Sequence, residues 1–196
     1  DVGAADAYRN AMGNTELDPL LRKALELVGK GRLGVAEGIC REYLKRRPHD
    51  VDAIRLLAEV GMAIGSTGEA ILLLERCLEL APSFHVARTN YVTALARYQR
   101  FEEALKENQK LRREQPNNLA HQVQHATTLA LAGRFELAHV EFAKVLDRAP
   151  NNERILTSYG HSLRYGGRGD EAIEVYRRAI KSEPSAGEAY WSLANL

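Results

Sequence analysis

Two histidines, His121 and His125, stand four residues apart, a spacing that places both imidazoles on one face of a helix. Such a pair could share a metal ion. No glutamate lies between them to act as a base, however, and the sequence suggests no third ligand. We therefore interpret both histidines as packing residues of a helix and predict no metal site.

A glycine-rich stretch superficially resembles a phosphate-binding loop. Its sequence is Gly166-Gly167-Arg168-Gly169-Asp170, but no strand precedes it and no lysine-hydroxyl pair follows it. We interpret it as a turn between helices. No nucleophile, base and orienting group recur in an arrangement that suggests a triad. We therefore predict no catalytic residue and no cofactor in this chain.

Composition excludes several classes of protein. Of the 196 residues, 45% are hydrophobic and 27% charged, which is enough to bury a core. The formal net charge of +1 gives no overall attraction to nucleic acid or to an anionic membrane. No apolar run approaches the roughly 20 residues that span a bilayer, and the chain does not start with a basic-then-apolar signal segment. We expect a soluble protein without a nucleic-acid or membrane partner.

The two cysteines indicate a reducing compartment. Cys40 and Cys77 belong to no Cys-x-x-Cys motif, and no histidine stands near either at zinc-finger spacing. We interpret both as small buried hydrophobic residues. Together with the absence of a signal segment, this favours a cytoplasmic location.

The feature that positions all of these residues is a 34-residue repeat. Five of the six prolines follow one another at that interval, namely Pro48, Pro82, Pro116, Pro150 and Pro184. The full repeats are 17–50, 51–84, 85–118, 119–152 and 153–186, followed by a partial repeat, 187–196. Residues 1–16 carry no clear phase and are predicted to form an N-terminal segment or cap.

Each repeat predicts two amphipathic helices, because apolar residues recur three and four apart. The twentieth position is always alanine and the eighth is mostly small, so that the two helices can approach closely. Glycine at the fifteenth position predicts the turn between the helices, and the prolines end the second helix. The sequence therefore predicts an all-α fold of antiparallel helix hairpins. Repeat three departs most from this pattern, because polar residues replace apolar residues or glycine at four positions. They are Arg88, Gln99, Asn108 and Arg112. We predict that repeat three is either locally looser or locally functional.

This pattern of leucine, small, aromatic, alanine and proline positions resembles the tetratricopeptide repeat (TPR) family over 17–196. The resemblance implies a right-handed TPR α-solenoid, an α-α superhelix whose first helices line a concave groove for a protein or an extended or acidic peptide. It also suggests a ladder of polar side chains at the sixth position of the repeats. The predicted groove residues are Asn90, Thr93, Arg97, Gln124, Thr127, Arg154, Ser158, His161, Arg164 and Trp191. An ordinary solvated helix face would explain the same polarity, and Trp191 could instead pack against the preceding repeat.

The C-terminal segments 159–164, 169–173 and 187–196 resemble the end of the repeat arm in bacterial TPR-sulfotransferase fusion proteins. The resemblance implies that the chain is the recognition arm of a larger sulfotransferase-like protein. The sulfonate donor would then bind outside this chain, and the linked catalytic domain could itself contact the repeats. The alternative is a stand-alone scaffold or assembly adaptor with no linked enzyme.

Overall fold

The computed structural model describes residues 17–196, and every regular element in that range is an α-helix. The first helices of the repeats are α1 (Pro19–Gly29), α3 (Val51–Ala63), α5 (His85–Arg97), α7 (Leu119–Leu131), α9 (Glu153–Tyr165) and α11 (Gly187–Ala194). The second helices are α2 (Leu33–Arg46), α4 (Thr67–Leu80), α6 (Phe101–Glu114), α8 (Phe135–Arg148) and α10 (Gly169–Ser182). The predicted all-α fold is confirmed. The predicted N-terminal cap, 1–16, lies outside the described residues.

The helices belong to two compact units. Unit 1 ends at Arg100 and unit 2 begins at Phe101, so the boundary falls inside repeat three. In unit 1, α1 packs on α2 and α3 on α4, and in unit 2, α7 packs on α8 and α9 on α10. Among residues 17–196, no helix is both long and apolar enough to cross a membrane.

Small residues allow the helices of a pair to pack closely. The alanines at the twentieth position are completely buried, as predicted, and are Ala36, Ala70, Ala104, Ala138 and Ala172. At the eighth position, Ala58 and Ala126 are also completely buried. Gly160 occupies the eighth position of its repeat, and the ring of Tyr176 lies directly against it. In repeat five, position eight is therefore small because the second helix packs the Tyr176 ring there.

The turn between the two helices of a repeat requires a left-handed backbone. Gly31, Gly65, Gly133 and Gly167 all have positive φ, between 70° and 90°. Gln99 takes the same position in repeat three and has a φ of 62°. Among residues 17–196, it is the only residue other than glycine with a positive φ. A side chain in this conformation strains the backbone.

We expect Gln99→Gly to stabilise the protein by about 0.5–1 kcal/mol, because glycine removes this strain at a small entropic cost. Urea denaturation measures the change in the free energy of unfolding. Gly133→Ala is the opposite control, since its φ is 72° and a Cβ there would meet no atom within 4 Å, so that only the backbone is strained. A lower midpoint for Gln99→Gly would contradict the expectation.

The cysteines are packing residues, as the sequence predicted. Cys40 and Cys77 are free thiols with no exposed surface. Burial raises the pKa of Cys40 to about 11, although the charge of Arg55 opposes the shift. The Cys77 thiol donates a hydrogen bond to the carbonyl oxygen of Val51 at 3.4 Å. The raised pKa leaves the Cys40 thiol unactivated for chemistry.

Candidate peptide-binding site

A cavity of about 420 Å³ lies in unit 2, between α7, the start of α8 and α9. Three predicted groove residues, Thr127, Ser158 and His161, line it. The remaining lining residues are Ala130, Leu131, Gly133, Phe135, Ser162 and Tyr165. Spacings of three and four residues bring the α7 and α9 members to one face of each helix. The cavity thus combines an apolar wall with hydroxyl groups and one imidazole.

Of the apolar wall, the sequence-based prediction missed Leu131 and Phe135. Leu131 and Tyr165 occupy the same repeat position, and 55% and 67% of their surfaces are exposed. Phe135 lies against Gly166, because a Cβ added to Gly166 would be 3.1 Å from the Cγ of Phe135. The prediction favoured polar groove residues. The wall could have been found from the large apolar residues Leu131 and Tyr165, which stand at the same position of two successive repeats.

His161 joins the cavity to α11. Its Nε2 lies 2.9 Å from the hydroxyl oxygen of Ser192, which is completely buried. Its ring meets the Tyr176 ring edge-on, with 5.7 Å between the centroids. Burial lowers the pKa of His161, Glu188 of α11 opposes the shift and Arg164 adds to it. The cavity therefore presents a neutral imidazole at neutral pH.

Arg164 lies beside the cavity, although it is not among the lining residues. Its Nη2 donates a hydrogen bond to the Tyr165 hydroxyl at 3.1 Å, and its guanidinium carbon lies 4.9 Å from the centroid of that ring. Arg154 is exposed, and its carbonyl oxygen accepts a hydrogen bond from Ser158 at 2.8 Å. Each of the two arginines of α9 therefore contacts a residue that lines the cavity.

The three polar residues at the sixth repeat position in unit 2, Gln124, Ser158 and Ser192, already have hydrogen-bond partners within that unit. Gln124 accepts a hydrogen bond from Asn108 at 3.1 Å, Ser158 donates to Arg154, and Ser192 bonds His161. These contacts give the three side chains a structural role, and the ladder for a peptide main chain stays a prediction. They also show that Gln124 helps to bury Asn108, which is completely inaccessible to solvent.

Three predicted groove residues belong to unit 1 and do not line the cavity. Thr93 donates a hydrogen bond to the Thr89 carbonyl oxygen at 3.1 Å, and Arg97 is exposed. Asn90 is half-buried on the same helix, α5. All three residues lie on α5, as the repeat predicts, but the described contacts do not bring them together in one site.

Trp191 lies on α11 and also lies outside the cavity lining. Its side chain is 64% exposed, and its neighbour Tyr190 is 49% exposed. This exposure agrees with the predicted groove position, and a contact between Trp191 and a partner stays a prediction. Trp191 is available for contact with another polypeptide.

The histidine pair and the glycine-rich stretch have structural explanations. His121 is 5% exposed, and its Nε2 lies 3.0 Å from the Gln115 side-chain oxygen. Burial lowers the pKa of His125, and the charges of Arg112 and Lys144 act in the same direction, which disfavours a cation there. Gly167 has a φ of 79° and Gly169 begins α10, so the stretch is the predicted turn between α9 and α10.

Comparisons with known families identify the repeats. Residues 21–83 match a family model described as a tetratricopeptide repeat, and residues 160–196 match one described as a TPR repeat. The chain contains tetratricopeptide repeats. No curated protein matches this TPR chain significantly.

Solved TPR structures have the same fold. TTC0263, a thermophilic TPR protein of Thermus thermophilus, is 22% identical with a TM-score of 0.75, covering 90% of this chain and 96% of its own. YrrB, described as a TPR protein with an unusual peptide-binding site, is 20% identical with a TM-score of 0.63, covering 98% and 100%. MamA is 19% identical with a TM-score of 0.67, covering 87% and 97%. At these identities the likeness concerns the fold, and it supports no linked sulfotransferase.

Proposed function

We propose that this TPR chain binds a protein partner by accepting one apolar side chain of a peptide segment in the cavity of unit 2. The observation that carries the proposal is the pair of exposed apolar residues, Leu131 and Tyr165, at the edge of a cavity of about 420 Å³. Apolar surface in a concave site gains free energy when a ligand covers it. The volume suits one large side chain with part of its backbone.

The polar lining supports a peptide rather than a purely apolar ligand. Thr127 and Ser158 are half-buried beside the apolar wall, and their hydroxyl groups can accept further hydrogen bonds. His161 adds a neutral imidazole. A peptide presents amide donors and carbonyl acceptors next to its side chain. Its side chain can therefore contact the apolar wall while its backbone contacts the polar residues of the cavity. The fold likeness to YrrB, a protein described by its peptide-binding site, agrees with this proposal.

We expect Ala130→Trp to weaken peptide binding at least about tenfold, because the indole fills the cavity that Ala130 lines. Peptides are first selected from a displayed random library on the full chain, and the affinity of the best synthetic peptide is then measured by calorimetry. Ala143→Trp is the matched control, since Ala143 is exposed on α8 and does not line the cavity.

Tyr165→Ala gives a second test that leaves the core intact, because Tyr165 is mostly exposed. We expect it to weaken the same peptide while the thermal unfolding midpoint stays close to that of the wild type. Equal affinity for the wild type, Ala130→Trp and Ala143→Trp would place the peptide elsewhere. A library that yields no binding peptide would contradict the proposed function.

As a second proposal, we suggest that this chain is linked to a sulfotransferase domain. It is favoured by the exposed aromatic residues Tyr190 and Trp191 on α11, within the segment 187–196 that resembles TPR-sulfotransferase arms. Under this proposal, the aromatic pair contacts a catalytic domain, whereas a stand-alone adaptor would present it to a separate partner. Sequencing the gene beyond Leu196 distinguishes the two.

We also propose a cytoplasmic location, in which the thiols of Cys40 and Cys77 remain reduced.

A further inference from the structure

The arginines of unit 2 differ in whether they have a carboxylate partner. Four arginines outside α9 form ion pairs with glutamates: Arg112 with Glu141, Arg134 with Glu102, Arg168 with Glu171 and Arg177 with Glu174. Within residues 17–196, neither Arg154 nor Arg164 of α9 forms an ion pair. Arg113, Arg148 and Arg178 also form no ion pair within that range, but of these five arginines Arg164 is the one that stacks on a residue lining the cavity.

Arg164 is held in place beside the cavity without being neutralised. Tyr165, which lines the cavity, both accepts a hydrogen bond from its guanidinium at 3.1 Å and stacks against it. A guanidinium has five N–H donors, so most remain available to an acceptor from outside the chain. Its planar fork matches a carboxylate. The tyrosine therefore orients Arg164 and leaves its charge for a ligand.

We infer that the bound peptide carries an acidic side chain close to its apolar anchor, and that Arg164 binds this carboxylate. The inference rests on the proposed function. The anchor fills the cavity against Leu131 and Tyr165, and the carboxylate meets the guanidinium stacked on the same tyrosine. The apolar wall and the charge thus select two neighbouring side chains of one segment.

Arg154 extends the same face of α9 in the opposite direction. Arg154, Ser158, His161 and Tyr165 follow at intervals of four, three and four residues and so form one stripe. At 1.5 Å per residue, the stripe is about 16 Å long. An extended peptide covers that distance with about five residues. A ligand with an acidic residue on each side of its anchor can therefore reach both arginines.

The test begins with peptides selected from a displayed random library on the full chain. We expect selected peptides to share a large apolar residue with an aspartate or glutamate within four positions. The best synthetic peptide is compared with its counterpart in which that acid is replaced by the neutral amide. We expect wild-type protein to prefer the acidic peptide about tenfold, and raising the salt concentration to reduce the preference.

Arg164→Gln is expected to reduce this preference to less than about twofold, with the affinity for the neutral peptide nearly unchanged. Arg178→Gln is the control, because Arg178 is exposed on α10 and donates a hydrogen bond to the Pro150 carbonyl oxygen. The same loss in both variants would assign the effect to general charge and overturn the inference.

Two other outcomes separate this inference from the proposed function. If the selected peptides share an apolar anchor but no acid, and Ala130→Trp still abolishes their binding, the cavity is the binding site and the role of Arg164 is refuted. If acidic peptides bind equally well to the wild type and Ala130→Trp, both ideas are refuted, because the ligand then uses another surface.

Discussion

Replacing Gly160 by alanine is expected to lower the free energy of unfolding by about 1–3 kcal/mol. A Cβ at this position would lie 2.4 Å from Cε1 and 2.7 Å from Cδ1 of Tyr176. The ring cannot simply move aside, because Tyr176 has no exposed surface and also contacts His161 edge-on. The clash therefore has to separate α9 from α10 or force the ring out of its rotamer. Urea denaturation followed by circular dichroism measures the loss.

Repeat two provides a natural rescue for this variant. Ala58 and Leu74 occupy the positions equivalent to Gly160 and Tyr176, and both are completely buried. We expect the double variant Gly160→Ala, Tyr176→Leu to lose at least about 1 kcal/mol less than the sum of the two single variants. Gly38→Ala is the control, because a Cβ at this helical glycine would meet no atom within 4 Å. Equal destabilisation by Gly160→Ala and Gly38→Ala would show that the clash is not the cause.

The fold could be predicted because backbone requirements recur at fixed positions. A buried alanine at position twenty and a left-handed residue at position fifteen each reflect one local geometry, and each appears in every full repeat. Even Gln99, which departs from glycine in sequence, adopts the positive φ that its position requires. Repetition therefore identifies the helix pairs without knowledge of any particular contact.

The candidate site could be predicted only in part, because polarity does not identify the partner of a side chain. Gln124 and Ser158 lie on the predicted helices, but each has a hydrogen-bond partner within unit 2. The concave volume depends on how Leu131 and Phe135 are placed across two helices, and a position in one helix does not determine this. Sequence periodicity gives the face of a helix, whereas side-chain packing decides which face contains a cavity.

The predicted looseness of repeat three illustrates the same limit. Asn108 and Arg112 were expected to weaken packing, since buried polar groups destabilise a fold unless they are hydrogen-bonded. Asn108 donates to the His121 carbonyl oxygen and to Gln124, both at 3.1 Å, and Arg112 pairs with Glu141 at 2.9 Å. These partners compensate part of the expected cost, since the buried Oδ1 of Asn108 has no hydrogen-bond partner among residues 17–196. Hydrogen exchange, compared between 85–118 and 119–152, remains the test of that prediction.

Acid is expected to destabilise the protein through His125. Burial lowers the pKa of its imidazole from 6.5 to about 4, the charges of Arg112 and Lys144 act in the same direction, and Glu141 opposes them. In the unfolded chain the group titrates near its ordinary value. Between these two pKa values the unfolded state binds a proton that the folded state does not bind. The stability associated with neutral His125 is therefore complete above about pH 6.5 and is lost as the pH falls towards about 4.

His125→Gln should remove this contribution, because glutamine stays neutral over the whole range. Since part of the imidazole still contacts solvent, we expect the wild type to lose only about 1–2 kcal/mol more stability than the variant between about pH 7 and pH 4.5. Urea denaturation at a series of pH values gives the two curves. His49→Gln is the matched control, because His49 is exposed in the turn between α2 and α3. Parallel curves for His125→Gln and the wild type would mean that His125 is protonated as easily in the folded protein as in the unfolded chain.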